Sequence, residues 1–295
     1  MKPQRIFRQI AFLPVAFLLF AALAFVFNPN PGVDELVLNA AITAGDVTAE
    51  ISSNGKYSGR SVNLKLTNTT SKKLTIRVPA GTAYAPENDD EQTLFQMEDE
   101  LIVLEPKATK IHTIAAFCSE STDGIPTEGS NFTMTTAKNK KLLDLAAYVK
   151  GKKVPKTSYQ EAVWAVSNNS PVSCMESNTP EAKEFRQFVA DLTGQTNTWY
   201  TATQNYTVTP QRRIVPLPTI VKGQVQFPSD GVSVIKQEVV DKNGVVRFEM
   251  PPATPKKSAK CTMDFSVKVV GWEKGDYTLR IVMNDVELKA YPFTI

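Results

Sequence analysis

Residues 60–78, RSVNLKLTNTTSKKLTIRV, decide the class of fold. Val62, Leu64 and Leu66 stand at alternate positions, and Leu74, Ile76 and Val78 repeat the pattern after Asn68-Thr69-Thr70-Ser71. A period of two with one apolar face predicts strands lying on a core, and the polar run between them reads as a turn. Upstream, Val47, Ala49 and Ile51 alternate in the same way, and Asn54-Gly55 supplies a tight turn that tolerates positive φ. Downstream, Pro79 to Thr82 closes the third strand. Leu101 to Leu104, Glu105-Pro106-Lys107 and Ile111 to Phe117 then read as a further hairpin. Short strands with turn residues at this spacing predict an antiparallel sandwich.

The period then changes. Leu142, Leu143, Ala146 and Val149 recur at helical spacing. Ser158-Tyr159-Gln160-Glu161 has the form of a capping box ahead of a second helix containing Trp164. A third helix is announced by Thr179 as cap, Pro180 at its first position and Gly194 at its end. Its apolar stripe is Phe185, Phe188, Val189 and Leu192. Trp164 reads as a structural anchor, because an indole buries a large area and needs one hydrogen-bond partner. Residues 201–222 hold Pro210, Pro216 and Pro218 and read as a linker or edge, since proline cannot serve inside a central strand. Alternation resumes over 223–295, with a hairpin turn at Asp241-Lys242-Asn243-Gly244 and another at Asn284-Asp285. The expected fold is therefore mainly β. It has two β-sandwich-like domains, at 35–200 and 223–295, and the first carries a small insert of about three α-helices.

Ahead of these lie Lys2, Arg5 and Arg8 and then an uncharged run over 10–27. A basic stretch followed by an apolar one predicts a signal peptide over 1–24, with cleavage after Ala24 and a tether over 25–34. The alternative is a retained membrane anchor over 10–27, a run within the ~17–25 residues that span a bilayer. Cleavage removes three positive charges and takes the formal net charge of +3 to zero. A neutral mature chain has no long-range field to attract nucleic acid. A periplasmic, cell-surface or extracellular location follows in either case, with membrane contact only if the leader is retained.

Chemistry-bearing residues are few. His112 is the only histidine. It lies six residues before Cys118 in one strand segment, about 20 Å away in an extended chain, too far for a nucleophile and its base. No nucleophile elbow, phosphate loop or dinucleotide fingerprint occurs, so no catalytic residue and no cofactor is expected. Asp89, Asp90 and Glu91 form a weak Ca²⁺ candidate without the spacing of a known loop. Acids within 87–100 are the only support for a hydrolase. The three cysteines lack CxxC spacing. In an exported protein a Cys118–Cys174 disulfide is expected, with Cys261 left free and buried on its strand.

Two resemblances add to this reading. The order of SVNLKLTNTTSKKLTIRVPAGTAY, LIVLEPKATKIHTIAAFC and QEAVWAVSNNSP over residues 57–200 resembles an uncharacterised module of secreted bacterial proteins. That resemblance implies a β-sandwich with appended helices and no particular chemistry. VVDKNGVVRFEM and GDYTLRIVMNDVELKAYPFTI resemble bacterial surface immunoglobulin-like domains of the hook-capping type, which implies a binding, spacing or sorting unit. The expected function is a non-catalytic exported bacterial envelope protein in binding or structural assembly, with a protein or a surface polysaccharide as partner. The alternative is a membrane-anchored subunit of an envelope secretion, motility or filament machine.

Overall fold

The alternating runs of residues 60–78 become two strands that enter different sheets. The computed structural model describes residues 35–295; the signal peptide, anchor and tether expected over 1–34 lie outside the described residues. Strand β1 (Glu35–Val37) and helix α1 (Leu38–Thr43) precede β2 (Val47–Ser53), β3 (Arg60–Asn68), β4 (Leu74–Val78), β5 (Thr82–Pro86) and β6 (Leu94–Phe95). Next come β7 (Glu100–Leu104), β8 (Thr109–Ala115), β9 (Phe117–Cys118) and β10 (Phe132–Thr136). One sheet has the order β2-β3-β8, a second β1-β4-β7 and a third β10-β5-β6-β9. The first two close over a core that includes Val62, Leu64, Leu66, Leu74, Ile76 and Val78, all buried.

The hairpin expected at 101–117 is not formed. β7 pairs with β4 and β8 pairs with β3, so residues 105–108 turn a corner between sheets. The turn at 68–71 makes the same crossing, and Asn68 ties the two corners together. Its buried amide donates to Lys72 O at 2.7 Å and Glu105 O at 3.0 Å, and its Oδ1 accepts from Thr70 N at 2.8 Å. Lys107 adopts the left-handed φ of 61° that this corner requires.

Helices α2 (Lys140–Val149), α3 (Tyr159–Asn168) and α4 (Pro180–Thr193) form the insert. Together with Phe95, Met97 and Phe117 they enclose a second core around Leu145, Val163, Phe185 and Val189. Asn139 caps α2 through Lys141 N. Thr179 caps α4 through Ala182 N, and Gly194 ends it at φ 76°. The capping box expected for α3 does not form. A 3-10 turn, Lys156–Ser158, leads into that helix, Ser158 makes no side-chain cap bond, and Glu161 points elsewhere.

The second sandwich pairs the sheet β11-β12-β15 with β14-β13-β16-β17. Its strands are β11 (Tyr200–Val208), β12 (Ile214–Ser229), β13 (Ile235–Asp241), β14 (Val246–Glu249), β15 (Ser258–Lys268), β16 (Asp276–Met283) and β17 (Val286–Thr294). Val221, Val225, Val239, Phe265, Leu279, Ile281 and Phe293 fill the space between the sheets. Residues 201–222 are therefore an edge rather than a linker: they form most of the β11–β12 hairpin, with β11 at the edge of its sheet. β15 pairs with β12 only from Ile220 onward, so residues 203–219 project as a two-stranded arm. Thr209 N donates to Arg213 O at the tip. The alternation from that bond leaves Pro216 and Pro218 facing away from β11, on a side where no strand asks for their missing N–H.

The arm docks on the first sandwich. Ile125 N donates to Arg212 O at 2.9 Å, and the Arg212 guanidinium donates to Ile125 O at 3.0 Å and Pro126 O at 3.1 Å. Ile214 is buried in the core of the first sandwich. The described residues thus pack as a single compact unit. Among them, no helix is long and apolar enough to cross a membrane.

Candidate functional site

Helix α3 presents Trp164 to the underside of the arm. Trp164 is 5% exposed. Its ring stacks on Tyr57, with centroids 6.0 Å apart, and meets Tyr206 of the arm edge-on at 5.2 Å. Its Nε1 donates to Cys118 Sγ at 3.4 Å. Gln160, one turn earlier, acts like a short strand against β9: it accepts from Cys118 N at 3.1 Å and donates to Cys118 O at 2.8 Å.

Between α3 and the arm lies a pocket of about 140 Å³, whose walls include Glu161, Trp164, Pro171, Cys174, Tyr206 and Pro216. The Tyr206 hydroxyl donates to Glu161 Oε1 at 3.3 Å, whereas Glu161 Oε2 is buried and has no partner. Burial pushes the Glu161 carboxyl above its ordinary range, and Glu176 adds to that push; bonds from its own backbone N–H and from Tyr206 oppose it. A raised folded pKa favours folding at low pH, where the carboxyl is neutral in both states. That contribution is lost as pH rises through the folded value. Glu161→Gln is therefore expected to match the wild type in stability below about pH 4 and to exceed it increasingly toward pH 7. Urea denaturation across that range checks this, and a constant difference at all pH values would contradict it.

Outside this pocket, a groove of about 900 Å³ runs between α4 and the β12–β15 face. Most of its lining side chains are amides, hydroxyls and charged groups of both signs. Lys222 Nζ lies 3.2 Å from Glu176 Oε1, and Gln224 donates to Asp264 Oδ1 at 3.0 Å. Asn197 donates to Gln187 Oε1 at 2.9 Å, and Trp199 and Phe265 are the aromatic elements of the wall. Gly223 lets Trp199 sit close, since a Cβ there would stand 2.7 Å from Trp199 O and 2.9 Å from its ring. Beneath the groove, the buried Arg186 guanidinium donates to Asn197 Oδ1 at 2.8 Å, Tyr200 O at 3.0 Å and Thr201 Oγ1 at 3.1 Å.

The residues singled out in the sequence are scattered. All three cysteines are free thiols, so the expected Cys118–Cys174 bridge is absent. The Cys118 thiol is engaged by the Trp164 indole and by Glu120 O, while Cys174 lines the inner pocket. Burial pushes both thiols up to about 12, which keeps them protonated and unreactive at neutral pH. Cys261 is half-buried on β15 rather than buried.

The Ca²⁺ candidate is not assembled. Asp89 and Asp90 are exposed, whereas Glu91 is buried and its Oε1 accepts from Thr127 N at 3.0 Å and Thr127 Oγ1 at 2.8 Å. Among the described residues no group of three His, Cys, Asp or Glu side chains could hold a metal ion. The acids of 98–100 diverge as well. Glu98 pairs with Lys156, Asp99 with Lys150, and Glu100 with His112, whose Nε2 lies 3.1 Å away. Neither cavity includes any of them.

Sequence reasoning missed Tyr57, Tyr206, Glu161 as a pocket residue and Arg186. Only Arg186 carried a signal: position 186 falls in phase with Ala182, Phe185 and Val189 on the buried face of α4. The site arises where three separate segments meet, and no local motif marks such a meeting. No protein-family model matches this sequence, and no curated protein is similar to it.

Proposed function

We propose that this is a non-catalytic protein of the bacterial envelope, exported by its leader, that binds a hydroxyl-rich chain such as a surface polysaccharide in the outer groove. The observation that carries this reading is the composition of the groove wall. Gln187, Asn197, Gln224 and the hydroxyls of Ser177 and Ser266 offer donors and acceptors in close succession. The lining charges balance, Lys183, Arg186 and Lys222 against Glu176, Glu184 and Asp264, which leaves little net field to select a charged polymer. A groove of this size with neutral polar walls suits a chain of sugars, whose many hydroxyls both donate and accept.

Affinity electrophoresis through gels containing purified surface polysaccharides tests the reading. Wild-type protein is expected to be retarded by at least one of them. The double variant Gln224→Ala/Asp264→Ala, which changes exposed side chains only, is expected to bind about tenfold more weakly, the effect of losing one or two net hydrogen bonds. Free migration in every polysaccharide, or equal retardation of the variant, would overturn it. N-terminal sequencing of the native protein tests export separately: a chain beginning at Phe25 supports a cleaved leader, and an intact start supports the anchored alternative.

A further inference from the structure

We propose that the pocket beneath the arm binds a small organic cation, an alkylammonium group of about six heavy atoms, by the chemistry of an aromatic corner closed with a carboxylate. The volume sets the size. At about 140 Å³ the pocket is close to an engineered cavity of ~150 Å³ that holds benzene. The walls set the charge and the surface chemistry. The rings of Trp164 and Tyr206 stand 5.2 Å apart at 61° and form a corner of two π systems. Tyr57 backs the indole at an interplanar angle of 9°. Pro171, Ile214 and Pro216 offer apolar surface to methyl or methylene groups.

The unpartnered oxygen selects among ligand classes. Glu161 lines the pocket, and its Oε2 is buried without a hydrogen-bond donor. A buried carboxylate oxygen with nothing to bind is costly, and a cation or a strong donor is what offsets that cost. An anion is repelled by the same group. A divalent metal ion needs several oxygen ligands, and no such group of acids exists among the described residues. A neutral apolar ligand would fill the walls and leave the oxygen bare. An ammonium bearing carbon substituents meets both kinds of wall at once, through charge at Glu161 and cation–π contact at Trp164 and Tyr206. This inference is independent of what occupies the outer groove.

The test is calorimetric titration of the full mature chain with tetramethylammonium chloride, against sodium chloride at matched ionic strength. Saturable one-to-one binding of tetramethylammonium and none of sodium is expected. Glu161→Gln is expected to weaken it about tenfold, as a charge-assisted contact is lost. Tyr206→Phe keeps the ring and is expected to bind within about threefold of wild type. Cys174→Met adds bulk to the pocket while keeping Glu161 and is expected to abolish binding; it also decides the matter should Glu161→Gln fail to fold. No saturable heat above sodium, or undiminished binding by a folded Glu161→Gln or Cys174→Met protein, would overturn the proposal and leave a pocket that holds water only.

Discussion

Replacing Arg186 by alanine is expected to destabilise the protein by about 3–5 kcal/mol, the combined cost of leaving two or more buried acceptors unpaired at about 1–3 kcal/mol each. Arg186 is 3% exposed, and its guanidinium reaches Met175 O, Asn197, Thr198 O, Tyr200 O and Thr201. Those acceptors belong to the segments before and after α4, so one side chain fixes where the helical insert ends and β11 begins. Burial lowers the Arg186 pKa from its ordinary value, yet guanidinium remains charged at any pH at which the protein folds. The alanine variant takes this donor from the Met175 and Thr198 carbonyls, while Tyr200 O keeps only the Thr198 hydroxyl. Arg186→Lys is expected to rescue little, because a single ammonium cannot present five donors in a planar fork. Thermal unfolding should show a drop on the order of 10 °C for Arg186→Ala. A loss below about 1 kcal/mol would mean that water satisfies the carbonyls and that the network is not what holds the junction.

The second large effect is expected from Trp164→Ala, at about 3–5 kcal/mol for an aromatic side chain deleted from a core. The loss should be spatially uneven. Trp164 touches Tyr57 in the first sandwich, Cys118 on β9 and Tyr206 on the arm. Its removal takes the seat from under the arm but leaves the core of the second sandwich intact. Amide hydrogen exchange is expected to rise in residues 203–208 and 214–219 well before it rises in β15, β16 or β17. Uniform loss of protection across all sheets would show that the arm does not open separately. Trp164→Phe retains a stacking ring and should lose clearly less than the alanine variant.

Fold class was legible because burial has a period. Val62, Leu64, Leu66, Leu74, Ile76 and Val78 all face the core that their alternation requires, and the three helical stripes become three helices. Pairing was less legible. Alternation tells which side chains face inward, but β3 and β4 have the same pattern whether they pair with each other or cross between sheets. The hairpin expected over 101–117 failed for that reason. Prolines at 216 and 218 left linker and edge both open, because a sequence does not reveal which side of a strand lacks a neighbour. Glu161 was misread by a local rule: it has the capping-box position, yet its carboxyl turns to a tyrosine 45 residues away. Cys118 and Cys174 were paired by compartment, and the Trp164 indole that engages Cys118 was invisible at that level.

The prolines on the open side of the arm have a consequence beyond their own strand. At 216 and 218 that rim offers carbonyl oxygens and no amide hydrogens, so an incoming extended peptide finds only half of each hydrogen-bonding step. Strand exchange between copies is discouraged along this length of the ribbon. In a crowded compartment the arm can remain exposed along this rim without nucleating fibrils.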